Sequence, residues 1–234
     1  MSRKSRAKPP SPFKGFNPSP EIIRLVVLMY VRFPLSLRNV EDLLFERGID
    51  VCHETVRFWW NRFGPLFAGR VRDRRVGQMR GFRHWRWHLD EMFVKINGQT
   101  HYLWRAVDHE GEILESYVTR TRDKKVALTF MKKALKRHGS PAAIVTDGLK
   151  SYQAAMRDLG VIEKQEIGRH ENNRVENSHL PMRRRERAMQ RFRRMKSLQK
   201  FASVHANLHN HFASERHLVD RKTFKKRRAA ALAE

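Results

Sequence analysis

The chain has 234 residues, enough for one good-sized domain and a second, smaller one. Lysine and arginine outnumber aspartate and glutamate by 49 to 24, for a formal net charge of +25. This excess goes beyond what solubility requires and predicts a polyanionic partner, with nucleic acid ahead of an anionic membrane surface. The single cysteine excludes an internal disulfide, and the longest apolar run is too short to cross a membrane, so a cytoplasmic protein is expected.

The first 20 residues combine five basic side chains with five prolines and four serines. A segment of this composition cannot bury enough apolar surface to form a core. We therefore expect residues 1–20 to form a mobile basic arm.

Between residues 21 and 66, apolar residues recur at helical spacing and predict three helices. Pro34 ends the first, Ser36 caps a second over residues 37–46, and Gly48 supplies the turn before a third over residues 53–63. Two short helices joined by a glycine-containing turn are typical of a helix-turn-helix domain, whose second helix enters the major groove. A plain three-helix core is the alternative. The side chains expected to contact DNA from the third helix are Arg57, Asn61 and Arg62.

Residues 67–84 are rich in arginine and glycine, which predicts a basic linker before a second domain over residues 85–212. Aromatic and β-branched residues then predict a strand over 85–96, and Asn97-Gly98 predicts a type I′ hairpin turn. The pattern continues with strands over 100–108 and 112–119, a helix over 123–138, a short buried strand over 142–146 and a helix over 150–159. This order predicts an α/β fold, a mixed sheet flanked by helices.

Residues 172–210 predict mostly helix, with a kink or a new helix beginning at Pro181. The inward stripe is expected to contain Ala188, Phe192, Met195, Leu198 and Ala202. The opposite face is strongly basic and includes Arg185. The arginines of this face that are expected to contact DNA are Arg183, Arg184, Arg187 and Arg191. Residues 213–234 predict a second basic tail.

Three carboxylates stand out by their positions. Asp90 lies in the middle of a strand that should be buried, where an unpaired charge is costly. Asp147 follows the short buried strand, at the edge where α/β sheets place their sites. Glu176 comes just before the basic helix. If the first and fourth strands are neighbours, Asp90 and Asp147 converge, and the following helix can bring Glu176 to the same point.

Carboxylates are the ligands that Mg²⁺ takes in proteins. Two such ions, about 4 Å apart, can activate the attacking oxygen and stabilise the leaving oxygen in a phosphodiester displacement. Acids within so basic a chain therefore suit an enzyme whose arginines hold DNA while its acids hold ions. Glu91 adjoins Asp90 but is expected to point to the opposite face of the strand. His205 and His209 share a helix face, and packing or phosphate contact is expected there rather than a metal site.

The runs His88-Leu89-Asp90-Glu91, Val145-Thr146-Asp147-Gly148 and Asn172-Asn173-Arg174-Val175-Glu176-Asn177 resemble the DDE transposases of the insertion-sequence-six family. The resemblance covers nearly the whole chain. It implies an RNase H-like catalytic core with Asp90, Asp147 and Glu176 as catalytic acids and metal ligands, and a dependence on Mg²⁺ or Mn²⁺, with two ions. Asn173 and Arg174 are expected to contact DNA near the scissile phosphate or to cap the helix, and His170 and His179 are candidates for orienting substrate.

The same resemblance implies the partner and the location. We expect double-stranded DNA, both terminal inverted repeats and target, bound by a dimer or higher homo-oligomer, with no membrane partner, at the nucleoid of a bacterial cytoplasm. The predicted activity is cleavage at the repeats followed by transfer of the 3′-hydroxyl strand. The alternatives are an RNase H-like nuclease without strand transfer and a non-catalytic helix-turn-helix DNA-binding protein.

Overall fold

The structure, a computed structural model of the chain, describes residues 11–79, 86–168, 173–213 and 219–233. Outside these ranges lie residues 1–10 of the predicted arm, residues 80–84 at the end of the predicted linker, residue 85 at the start of the predicted strand, and residues 214–218 and 234 of the predicted tail. His170 and Asn172 also lie outside them. In the parts of the chain that are described, no helix combines the length and apolar character that a membrane crossing requires.

Three helices come first: α1 (Pro20–Arg32), α2 (Leu37–Phe45) and α3 (His53–Met79). Ser19 caps α1 by accepting a hydrogen bond from the backbone N–H of Ile22. Ser36 and Asn39 form a reciprocal capping box at the start of α2. Gly48 has a φ of 71° in the turn before α3, the left-handed conformation predicted for it.

Helix α3 is longer than the sequence pattern predicts, because it continues through Pro65 to Met79. Proline lacks the N–H that would bond the carbonyl of Asn61, and Lys200 Nζ donates to that carbonyl instead, at 2.8 Å. The prediction of a linker is therefore wrong for residues 67–79. Arg75, assigned to that linker, forms an ion pair with Glu112.

The described residues of the predicted N-terminal arm and of the predicted C-terminal tail both have defined structure. Phe13 stacks on Phe63 of α3 at 5.1 Å between ring centroids, and Phe16 meets the same ring edge-on. A mobile arm over residues 11–19 is therefore excluded by aromatic packing. At the other end, Asp220 accepts a hydrogen bond from the N–H of Thr223 and caps α8 (Arg221–Ala233), so the predicted tail contains a helix.

A five-stranded mixed sheet forms the centre of the second half. Its elements are β1 (Arg86–Ile96), β2 (Gln99–Asp108), β3 (Ile113–Thr119), α4 (Lys124–His138), β4 (Ala143–Thr146), α5 (Lys150–Leu159) and β5 (Gln165–Ile167). The strand order is β3-β2-β1-β4-β5, with the first three antiparallel and the last two parallel to their neighbours. This is the predicted RNase H-like arrangement. Asn97 and Gly98 both have positive φ, as a type I′ turn requires, whereas β5 was not anticipated.

Two helices complete the fold, α6 (Asn173–Ala188) and α7 (Met195–Ala213). No new helix begins at Pro181, because α6 runs through this residue, so that alternative of the prediction is wrong. The chain turns instead at Gln190 and Arg191, which have φ values of 55° and 74°. The backbone N–H of Arg191 bonds the carbonyl of Glu186, so this left-handed turn satisfies the end of the helix.

The two faces of the sheet have different partners. One face packs on α4 and α5 around Trp104, Phe130 and Tyr152. The other face shares a single apolar core with α1, α2, α3 and α7, to which the sheet contributes Met92, Val94, Ile96, Leu103 and Val118. The N-terminal helices therefore have no separate core of their own.

Candidate catalytic acid site

Strand register brings Asp90 and Asp147 together. β1 and β4 are parallel, with His88 paired to Val145, and two further residues along both strands Asp147 comes beside Asp90. Because β4 ends at Thr146, Asp147 is exposed at the edge of the sheet. Its Oδ1 accepts a hydrogen bond from the N–H of Leu149 at 3.0 Å, which fixes the loop that presents it.

Glu91 lies closer to this pair than strand alternation suggests. Among the described residues, Asp90, Glu91 and Asp147 each place one carboxylate oxygen within 4.8 Å of the other two. Glu91 is buried on the α5 side of the sheet, where Arg122 Nη1 donates to it at 2.9 Å and Tyr152 Oη at 3.2 Å. The two side chains do have partners on opposite faces, since Glu91 contacts Tyr152 of α5 and Asp90 lies beside His179 of α6, but their carboxylate oxygens still come within 4.8 Å of each other. We refer to Asp90, Glu91 and Asp147 as the acid cluster.

Glu176 is exposed in the first turn of α6 and lies outside the acid cluster, within electrostatic reach of it. Burial raises the pKa of Asp90 to about 7, and the negative charges of Glu91, Asp147 and Glu176 add to the rise. The side chain of Asp90 is 19% exposed. The site therefore concentrates negative charge that a cation would neutralise.

Two buried basic groups face Asp90 from the α6 side. His179 Nδ1 is 3.8 Å from Asp90 Oδ2. Burial lowers the pKa of His179 to about 3, with Arg105 and Arg183 contributing, so the imidazole is neutral near pH 7. Arg105 is paired with Asp90 across β1 and β2, is fully buried, and donates to the carbonyl of Ser178 in α6. It therefore ties the helix that carries Glu176 to the sheet.

Sequence reasoning missed Arg105, although a signal was present. A charged residue in the middle of an apolar strand was the reason for selecting Asp90, and Arg105 satisfies the same criterion. Glu91 satisfies it as well, but strand alternation predicted that it would point away from Asp90, which hid its approach to the other two acids.

The residues of α3 that were predicted to contact DNA are exposed, and each also contacts another side chain of the protein. Arg57 pairs with Glu54 at 2.9 Å. Asn61 Oδ1 accepts a hydrogen bond from Lys200, and the guanidinium of Arg62 lies over the rings of Phe16 and Phe63.

Most of the residues that were predicted to contact DNA from α6 and the turn after it also lie at the surface. The exposed members are Asn173, Arg174, Arg184, Arg187 and, in the turn that follows the helix, Arg191. Arg183 is half-buried and pairs with Glu186 at 2.9 Å. Arg185 was assigned to the basic outer face and this is wrong: it is 1% exposed, because Tyr30 and Phe201 cover its guanidinium. Of the predicted apolar stripe, Phe192, Leu198 and Ala202 are in the core.

The strand order and the acids at the edge of the sheet define an RNase H-like protein of the transposase and integrase class. A family model described as a DDE domain, of the IS240 transposase type, matches residues 84–215, more than half of the chain. The chain therefore belongs to the DDE transposases of the insertion-sequence-six family.

Individual relatives agree with this assignment. The transposase for the insertion sequence-like element IS431mec of Staphylococcus aureus is 33% identical over 144 residues, which cover 62% of this chain and 61% of that protein. The transposase of IS257 in transposon Tn4003, also from Staphylococcus aureus, is 32% identical over the same shares. The chain thus spans less than two thirds of the length of these relatives. An uncharacterized protein of Methanocaldococcus jannaschii, MJ0017, is 31% identical over 82% of this chain and 84% of its own.

Among solved structures, the catalytic core domain of HTLV-2 integrase in complex with magnesium aligns with a TM-score of 0.38. It is 15% identical and covers 65% of this chain and 87% of that one. A simian T-cell lymphotropic virus intasome chain aligns with a TM-score of 0.42 at 13% identity, covering 59% of this chain and 56% of its own.

Proposed function

We propose that this chain cleaves DNA at terminal inverted repeats in a metal-dependent reaction and then transfers the freed 3′-hydroxyl end into target DNA. The observation that supports this most strongly is the acid cluster, three carboxylate oxygens within 4.8 Å of one another in a chain of net charge +25. Family membership gives the same class of reaction. Water is the attacking group in the first displacement, and the new 3′-hydroxyl is the attacking group in the second.

The donor set suits a hard divalent cation. Every ligand atom in the acid cluster is a carboxylate oxygen, the type that Mg²⁺ and Mn²⁺ take. Burial, and after it the negative charges of the neighbouring acids, raises the pKa of Asp90. Asp90, Asp147 and Glu176 would hold two ions in our proposal. When bound, such ions stabilise the charge that develops on the scissile phosphate.

The chain's own residues position these acids and the DNA. Arg122 and Tyr152 fix the carboxylate of Glu91, and Arg105 ties α6, the helix that carries Glu176, to the sheet. The neutral imidazole of His179 adds no positive charge beside Asp90.

The basic surface would bind the double-stranded DNA. In the proposal Arg57, Asn61 and Arg62 of α3 contact the repeat, while Asn173, Arg174, Arg183, Arg184, Arg187 and Arg191 contact phosphates near the cleavage point. A dimer or higher oligomer brings two element ends together.

A strand-transfer assay tests this reaction. Purified protein is incubated with a labelled terminal-repeat duplex, a supercoiled target and Mg²⁺, with parallel reactions in EDTA. We expect joined product from the wild type and its loss, by at least about a thousandfold, in Asp147→Asn, because the charge that holds the ion is removed. Asp123→Asn is the matched control, since Asp123 is an exposed cap of α4 outside the acid cluster.

Two other products would contradict the proposal. Nicked DNA without joined product would indicate a nuclease that lacks strand transfer. Tight binding of the repeat without metal-dependent cleavage would indicate a DNA-binding protein that uses only its helices.

A further inference from the structure

A second basic site lies away from the acid cluster, where the end of α1 meets α6, α7 and α8. It is a cavity of about 350 Å³. Its basic lining consists of Arg32, Arg184, Arg185, His205, His209 and Arg228. None of the described residues that line it carries a carboxylate. We call this cavity the basic pocket.

Two buried side chains of the basic pocket have N–H groups or ring nitrogens without a partner. Arg185 is 1% exposed; its Nη1 donates to the carbonyl of Leu35 at 2.9 Å, but its Nε and Nη2 have no acceptor. His205 is 3% exposed, and its Nδ1 has no hydrogen-bond partner. Nearly all buried polar groups in proteins are hydrogen-bonded, so the unpaired N–H groups of Arg185 indicate an acceptor that completes the site.

The charges of the basic pocket also lack compensation. Burial, together with the neighbouring positive charge of Arg228, lowers the pKa of Arg32 to about 10. Burial likewise lowers the pKa of Arg185 to about 10. The Arg32 guanidinium lies 3.7 Å from the centroid of the Phe212 ring, which holds its plane in place. Buried cations normally have a counter-charge, and none comes from the described lining of this pocket.

We propose that the basic pocket binds a phosphate group, supplied either by a DNA phosphodiester or by a free phosphate-bearing anion. Guanidinium groups match phosphate oxygens with paired N–H donors, and the four arginines converge from three helices, α1, α6 and α8. A phosphate there connects these helices to α7. The basic pocket lies away from the acid cluster and shares only Arg184 with the DNA contacts proposed above, whereas Arg32, Arg185 and Arg228 have no part in that proposal.

Binding of inorganic pyrophosphate, measured by calorimetry and by thermal unfolding against chloride at equal ionic strength, tests the site. We expect one saturable site in the wild type and a shift of the unfolding midpoint to higher temperature. Arg228→Gln should weaken pyrophosphate binding by about tenfold or more, since a charge-assisted pair is lost. Arg221→Gln is the control, because it removes the same charge from an exposed position of α8 outside the pocket. Arg32→Lys, which keeps the charge but loses the planar fork, should also weaken binding.

Competition with DNA distinguishes the two possible sources of the phosphate group, a DNA phosphodiester and a free anion. If a DNA phosphodiester occupies the pocket, pyrophosphate lowers the affinity of the wild type for a duplex, and Arg228→Gln abolishes this competition. If a free anion is the ligand, duplex affinity does not respond to pyrophosphate and is equal in Arg228→Gln and Arg221→Gln. The inference is overturned if pyrophosphate binding does not saturate, or if the two α8 variants weaken it equally.

Discussion

Asp90 couples the acid cluster to the stability of the metal-free protein. Its pKa is raised to about 7 in the folded chain, so folding favours the protonated carboxyl. The unfolded chain loses this proton near pH 4, and stability therefore falls as pH rises from about 4 to about 7 and stays low above that. At pH 8 the cost is on the order of 3 kcal/mol.

We predict that Asp90→Asn removes this cost while it abolishes cleavage. In urea unfolding with EDTA, the variant should be more stable than the wild type by about 2–3 kcal/mol at pH 8 and nearly equal to it at pH 4. Asp158→Asn, at a partly exposed position paired with Lys124, should keep the wild-type pH dependence. A wild-type stability that rises between pH 5 and pH 8 would contradict the prediction.

Glu91 and Glu115 form a matched pair of buried acids in the same sheet. Each is held by one arginine, Arg122 for Glu91 and Arg137 for Glu115, but only Glu91 belongs to the acid cluster. We predict that Glu91→Gln raises the Mg²⁺ concentration for half-maximal cleavage by about tenfold, a size typical of residues that support metal ligands. Glu115→Gln should leave this concentration unchanged. The measurement is the cleavage rate as a function of Mg²⁺ concentration. An equal rise of the half-maximal Mg²⁺ concentration in both variants would instead show a general loss of stability.

Sequence reasoning located Asp90 and Asp147 for a physical reason. A carboxylate in an apolar strand and another at a strand end are visible as exceptions to the pattern around them. Their meeting then needs only that β1 and β4 be neighbours, as they are. Arg105 is an exception of the same kind, but its partner, Ser178, is distant in sequence and could not be predicted from the pattern. The burial of Arg185 leaves no such trace, because it depends on Leu35 and Tyr30, which are also distant in sequence.

At the scale of elements, capping residues predicted helix boundaries more reliably than prolines did. Ser36, Asp123 and Gly48 each mark a helix boundary that the structure has, because their side chains or φ values satisfy the ends locally. Pro181 suggested the start of a new helix, which does not exist, and Pro65 also lies inside a helix. At Pro65 the freed carbonyl of Asn61 is satisfied by Lys200, a residue of α7 that no local pattern could supply.

Two glycines of α3 should respond oppositely to alanine. A Cβ at Gly64 would lie 2.7 Å from the Trp60 ring, and a non-glycine residue before Pro65 is also disfavoured in helical conformation. We predict that Gly64→Ala destabilises the protein by about 1–3 kcal/mol. Gly69→Ala meets nothing within 4 Å and should stabilise by about 0.5–1 kcal/mol through helix propensity. Urea unfolding measures both, and a gain in stability from Gly64→Ala would mean that the Trp60 ring moves aside.

At the scale of the molecule, the sequence suggested a helical domain, a linker and a catalytic domain. The structure instead continues α3 through residues 67–79 of the expected linker and places the N-terminal helices on one face of the sheet. The apolar residues of β1 were visible in the sequence, but alternation alone does not identify what covers each face. Phe201 of α7 is central to the shared core, since its ring contacts those of Tyr30, Trp60 and Phe192.

The N-terminal helices and the sheet with α4 and α5 form two layers. Because this core joins them, we predict that the two layers unfold together. Phe201→Ala, in the shared core, and Phe130→Ala, in the core under α4 and α5, should each cost about 3–5 kcal/mol. In both variants, urea transitions followed by far-UV circular dichroism and by tryptophan fluorescence should coincide and move to lower urea as one step. Tryptophans lie in both layers, so fluorescence would separate two steps if they existed. A second transition that appears only in Phe201→Ala would mean that the helical layer is an independent domain resting on the sheet.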